Sequence, residues 1–379
     1  MSAFTQEDRS LLADSVDRFI TDAYGPDRRA AILKSDDGFG RAEWARYAEL
    51  GWLGIAIGED HGGSGGGLAE LAVLMRAAGR GLLMEPLLPT LVQAAGALAA
   101  GGSAEQQAQW LPAIAGGQAI LAFAQDDAAG DGAPVTARPD GDGYRLSGCR
   151  GFVLYGAAAD RIIVKADLAG DTALFLLCPT AAGVTLAHAR SIDDRPVSDL
   201  TLDNVRVAAA DRLPGGDAAL LDRLNRMAAL AVCAEAVGAM EAANRLTLDY
   251  LKTRTQFGTS IGSFQVPQHR MVDMVLAAQE AAAITWSAIG AAIAAGTGGP
   301  AIRDAPVLTA AAKARSAAAA RLIGEQSIQL HGGIGMTEEY VIGHYYRRLM
   351  LLETLFGGAG WHLDRLGGWT AAGFDGGDA

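Results

Sequence analysis

The sequence has almost no cysteine. Cys149, Cys178 and Cys233 stand far apart with no CxxC spacing, too few and too odd a number for a disulfide framework or a thiolate metal site. They read as reduced thiols serving as small core residues. Basic charge is short as well: 31 Lys and Arg face 43 Asp and Glu, a formal charge of −12 with no basic stripe. Nucleic acid is excluded as a partner on that count, because phosphate binding needs clustered cations to release counterions. Uninterrupted apolar runs long enough to span a bilayer are missing too, so no membrane span is expected. The start carries Glu7 and Asp8 where a secretory leader would place a positive patch and an apolar run, and a cytoplasmic location is expected. His61, His188, His269 and His344 share no ligand spacing, so no metal is expected.

What the chain does have is apolar bulk, 50% of 379 residues, enough for two or three domains. Thr5 reads as an N-cap for a helix with Leu11, Leu12, Val16, Phe19 and Ile20 at helical spacing. Further helices are expected from Trp44 to Leu50 and from Leu68 to Ala78, around a Gly-rich loop at 62–67. Between 119 and 216 the texture changes to short strand-like runs such as Arg161-Ile-Ile-Val-Lys and Ala173-Leu-Phe-Leu-Leu, parted by Gly and Asp turns, which predicts a small antiparallel β-domain. From 217 to 366 the pattern is helical again, in Ala-rich segments near 218–253, 265–295, 304–330 and 338–354, as in a four-helix bundle. The fold class is therefore α+β: a helical domain over 1–118, a β-domain, a bundle, and a Gly-rich flexible tail over 367–379. Trp44, Trp52 and Trp110 read as core, and Glu235 and Glu241 as polar contacts between helices.

Two motifs carry chemistry. Arg254-Thr-Gln-Phe-Gly-Thr-Ser-Ile-Gly-Ser-Phe-Gln265 lies between two long helices. A guanidinium there suits pyrophosphate oxygens, and the following helix start offers free N–H groups to an anion. Alone, it reads equally as a helix connection with a surface arginine. The second motif is Gln329-Leu-His-Gly-Gly-Ile-Gly-Met-Thr-Glu-Glu-Tyr340. Gly332 and Gly333 lack the Cβ atoms that would block a cofactor, and Gln329 can reach a ribose or phosphate. Alone, it reads as a helix stop.

Together, in this order, the two stretches resemble the signatures R-x-[QT]-F-G…F-Q and Q-x-x-G-G-x-G of the acyl-CoA dehydrogenases. Glu59-Asp-His-Gly-Gly-Ser-Gly resembles a third segment of that family, with Gly58 in place of its proline. The resemblance covers residues 5 to about 366. It implies the acyl-CoA dehydrogenase fold and FAD shared across a subunit interface. Arg254, Gln256, Phe257, Gln265, Gln329, Gly332 and Gly333 would clasp the nucleotide end of a neighbour's FAD. It also implies an acyl-CoA substrate in fatty acid metabolism and an electron-transfer flavoprotein as acceptor.

The resemblance breaks where the reaction needs a base. The family removes an α-proton with a carboxylate while the β-hydrogen leaves as hydride to the flavin. Alignment from Arg347 puts Phe356-Gly357-Gly358 at the usual base segment, and a phenyl ring takes no proton. The second known base position falls on Ala228, with Asp222 and Arg226 elsewhere on that helix. The flavin-ring segments correspond to Gln125 through Gly132 and to Phe152-Val-Leu154, where Leu154 donates no hydroxyl hydrogen bond although Phe152 can stack on a ring.

Clasp residues kept and catalytic residues lost suit the small subunit of a hetero-oligomer, and the chain resembles the small subunits of pimeloyl-CoA dehydrogenase-type enzymes. Its partner would be a catalytic large subunit. One alternative is an independently active homo-oligomer using an unusual base, for which Glu353, one turn before Phe356, is a weak candidate and His362 and Asp364 lie nearby. The other is a flavin monooxygenase or nitroalkane-oxidising relative on the same fold.

Overall fold

The computed structural model describes residues 4–127, 132–296 and 305–371. Six helices come first: α1 (Gln6–Ala23), α2 (Pro26–Leu33), α3 (Arg41–Glu49), α4 (Leu68–Gly81), α5 (Ala95–Gly101) and α6 (Ala104–Ala115). Thr5 caps α1 as its sequence position suggests, in a reciprocal box with Asp8. A seven-stranded sheet follows, with β1 (Leu121–Ala124), β2 (Thr136–Asp140), β3 (Gly143–Leu154), β4 (Arg161–Leu168), β5 (Asp171–Leu177), β6 (Val184–Arg190) and β7 (Pro196–Ala208). The strand spacing predicts an antiparallel sheet, and β2·β3, β3·β7, β4·β5 and β6·β7 pair that way, but β4 runs parallel to both β1 and β2. The parallel pairings join strands distant in sequence, and a local turn pattern carries no trace of them.

The bundle comprises α7 (Ala218–Thr253), α8 (Gln265–Gly296), α9 (Ala305–His331) and α10 (Ile342–Thr354), closed by α11 (Ala359–Ala371). The last helix corrects the expected tail, because 367–371 continue α11; residues 372–379 lie outside the described residues. Also against expectation, α7 and α8 are long and apolar enough to cross a membrane by length and composition. The apolar window of α7 is 89% buried within the fold, that of α8 only 33%. Of the cysteines only Cys233 is buried. Trp44 and Trp52 are core, whereas Trp110 is half-buried beneath the Arg161 guanidinium at 5.0 Å.

α4 crosses α7 at a pair of glycines. A Cβ on Gly79 would overlap the Glu235 carbonyl, and one on Gly238 would overlap the Arg76 carbonyl, so the two backbones touch. Beside this crossing lies a buried charge cluster. Arg348 of α10 donates from Nε and Nη2 to the two oxygens of Glu235, both at 2.7 Å, and from Nη1 to Asp193 at 2.9 Å. Arg195 donates to Asp193 and to the Leu83 carbonyl. Burial pushes the Asp193 carboxyl up, but Arg195 and Arg348 outweigh it and hold it well below the usual carboxylate range. Glu235 thus does link helices, but it also ties the bundle to the sheet. Glu241 pairs with Arg76 of α4.

Candidate functional site

Two features stand out, an outward arm and an inward cavity. The arm gathers at one end of the bundle. Tyr250 near the end of α7 stacks on His331 at the end of α9, with ring centroids 4.5 Å apart. Thr247 meets Ser327 at 3.3 Å, and Arg270 of α8 donates to Gln326 of α9 at 2.9 Å. These contacts bring together the hairpin β8 (Thr255–Gln256) and β9 (Thr259–Ser260), the start of α8, and the 3-10 turn Gly332–Met336.

Every nucleotide-clasp residue expected from the sequence on this end is exposed: Arg254, Gln256, Phe257, Gln265, Gln329, Gly332 and Gly333. Phe257 is 90% exposed and has φ +55°, a strained conformation for a bulky side chain. Its ring rests edge-on against Phe264 at 6.2 Å. The Arg254 guanidinium has no acid partner among the described residues. Gly332 has φ +65°, and a Cβ there or on Gly333 would meet nothing in this chain. An unpaired guanidinium, primary amides, two open glycines and a helix start on one surface fit an anionic nucleotide approaching from outside.

The cavity encloses about 600 Å³ between the sheet edge and the bundle. It collects Gln125, Asp126, Phe152 and Phe356, positions far apart in sequence that the resemblance assigned to the flavin ring and the base. Residues 128–131 of the first flavin-ring segment lie outside the described residues. Phe152 has φ +53° at an irregularity in the β3·β7 register, which turns its ring onto the cavity. Phe356, at φ +58° after α10, occupies the wall where a carboxylate was sought.

Other expectations need correction here. Glu353 is not on the wall: its Oε1 accepts from Arg321 at 2.7 and 3.1 Å. Ala228 is fully buried and faces away, while Asp222, Asn225, Arg226 and Ala229 line the cavity. Asp222 and Arg226, read as lying elsewhere, form an ion pair there. Their i, i+3, i+4, i+7 spacing was the available signal.

α11 adds Trp361, His362 and Arg365 to the wall. The Arg365 guanidinium lies over Trp361 at 4.6 Å and Trp369 at 5.2 Å. Behind the Phe356 turn, Lys313 is buried and donates to the carbonyls of Leu352, Glu353 and Gly357 at 2.8–3.1 Å, capping the end of α10. Burial raises the Asp126 carboxyl and pushes His362 down to about 4.

Comparison with known proteins agrees with this architecture. Residues 6–118 match the family described as acyl-CoA dehydrogenase, N-terminal domain, and residues 216–368 match acyl-CoA dehydrogenase, C-terminal domain. The acyl-CoA dehydrogenase FadE27 of Mycobacterium tuberculosis is 31% identical over 97% of this chain and 98% of its own. The crystal structure of the ChsE4-ChsE5 complex from Mycobacterium tuberculosis superposes with a TM-score of 0.90 at 30% identity, covering 100% of both chains. A structure of the Tcur3481-Tcur3483 steroid ACAD superposes with a TM-score of 0.87 at 32% identity, over 97% of this chain and 99% of that one. With both terminal regions matched, a full-length relative in sequence and a full-length counterpart in structure, this chain belongs to the acyl-CoA dehydrogenase family.

Proposed function

We propose that this chain is the cofactor-clasping subunit of a heteromeric acyl-CoA dehydrogenase. The carrying observation is a contrast: the seven residues expected to clasp the nucleotide are all exposed, while the cavity has Phe356 where a base would act. FAD is the family's cofactor and, when bound, accepts the hydride that leaves the substrate. In this reading Arg254 pairs with its pyrophosphate, Gln329 and Gln265 hydrogen-bond the nucleotide, and Phe257 and Phe264 pack beside it. The α-proton goes to a carboxylate on the catalytic partner. That one structural relative is a ChsE4-ChsE5 complex and another a steroid ACAD of two named components supports the pairing, and the second supports a steroid-type acyl group among the bulky CoA thioesters. An electron-transfer flavoprotein would reoxidise the flavin.

The test is to purify the chain alone and with its catalytic partner, then to measure FAD per chain and bleaching by acyl-CoA. Flavin and bleaching are expected only in the complex. Arg254→Ala in the complex should weaken flavin retention roughly tenfold or more, the effect of losing a charge-assisted hydrogen bond. An isolated chain that is fully flavinylated and bleaches with substrate would refute the assignment.

A further inference from the structure

The cavity has a property that the missing base does not explain. His362 is only 4% exposed. Its Nε2 lies 2.9 Å from the Phe356 carbonyl oxygen, and a carbonyl only accepts, so Nε2 carries the hydrogen. Nδ1 is then a bare lone pair, buried and without a partner among the described residues. Gln125 Oε1 and Asn225 Oδ1, on the same cavity, are likewise buried and unpartnered among the described residues. Buried acceptors are normally satisfied, and three left open around one space call for an occupant that donates. The cations on the wall are engaged, Arg226 with Asp222 and Arg365 with two indole rings, so among the described residues no free positive charge invites an anion. The remaining wall is apolar apart from Asp126, Thr309 and Thr354, and the volume suits a molecule of drug size.

We propose that this cavity is a ligand site in its own right, taking a neutral, mostly apolar molecule whose hydroxyl or N–H group donates to His362 Nδ1. The ligand is held without being oxidised, because Phe356 stands at the position from which the family's base takes the proton, and the wall's own carboxylates, Asp126 and the Arg226-paired Asp222, lie at other positions. The site lies at the Asp222 end of α7 and the Pro306 end of α9, whereas the nucleotide arm lies at the opposite ends of both helices. Its occupancy is therefore independent of which flavin the arm serves.

A matched pair of probes isolates the donor. 2-Naphthol and 2-methoxynaphthalene share one aromatic body, but only the first has a hydroxyl hydrogen. Calorimetric titration of the full-length chain should give 2-naphthol about a tenfold advantage, the effect of one buried acceptor gaining or lacking its partner. His362→Phe should remove that advantage without changing the binding of 2-methoxynaphthalene, and His362→Gln, which restores an acceptor, should recover part of it. The wild-type comparison needs no variant, so a misfolded mutant leaves the test intact. Equal affinities for the two probes, or no binding of either, overturns the proposal. So does release of bound flavin by 2-naphthol in the complex with the catalytic partner, since the cavity would then belong to the flavin ring.

Discussion

Glu85 is fully buried and accepts from the hydroxyls of Tyr47 at 2.8 Å and Tyr24 at 3.2 Å and from the Gly40 N–H. Burial outweighs those donors and pushes its carboxyl up to about 7. A raised acid holds its proton longer in the folded state, so its contribution is greatest below pH 4.5 and is lost as pH rises towards 7. The effect is of the order of 3 kcal/mol. Glu85→Gln should flatten this fall, gaining relative to wild type between about pH 5 and 7.5 in urea unfolding; parallel pH profiles would contradict it. His362, pushed down to about 4 by burial, works the other way, and its contribution is lost as pH falls from 6.5 to about 4. His362→Phe should therefore reduce the loss of stability on acidification in that window. The shared exposed surface of Arg254, Gln265, Gln329 and Gly332 was legible because these residues form two contiguous motifs at helix ends. The cavity residues were not, because whether Ala228 or Ala229 faces inward depends on the rotation of α7 against the sheet, which no local pattern fixes.

Elements meet here through small residues. The Gly79 and Gly238 crossing sets the spacing of α4 and α7, and Gly238→Ala should cost roughly 3 kcal/mol by forcing the backbones apart. Gly290, on the exposed side of α8 with nothing within 4 Å of a Cβ, offers the contrast: Gly290→Ala should gain about 0.5–1 kcal/mol from helix propensity alone. A melting-temperature comparison separates the two, and equal shifts would contradict the account. Helix positions were readable from periodicity, since α1, α4 and α7 each present a sustained apolar pattern. The parallel pairing of β4 was not, nor was α11, whose Gly367 and Gly368 suggested a tail although Trp361 and Trp369 of the same helix clasp Arg365.

At the scale of the molecule, the order of helices, strands and bundle was legible and sufficed for the fold class, because few architectures arrange elements that way. What holds the layers together was not, since Leu83, Asp193, Glu235 and Arg348 come from separate regions of the chain. Arg348→Met leaves Glu235 and Asp193 short of positive charge in the interior and should cost about 3–5 kcal/mol. Adding Glu235→Met should restore part of it, and chemical unfolding of both variants measures the difference. During synthesis, Arg348 is the last of these four residues to leave the ribosome. Until it does, Glu235 has only Arg195, at 3.9 Å, within ion-pair reach among the described residues, and the bundle gains its full tie to the sheet only with the last part of the chain. A truncated copy therefore carries its own mark of incompleteness, an unbalanced acid at the centre that keeps it open to the cell's proteases.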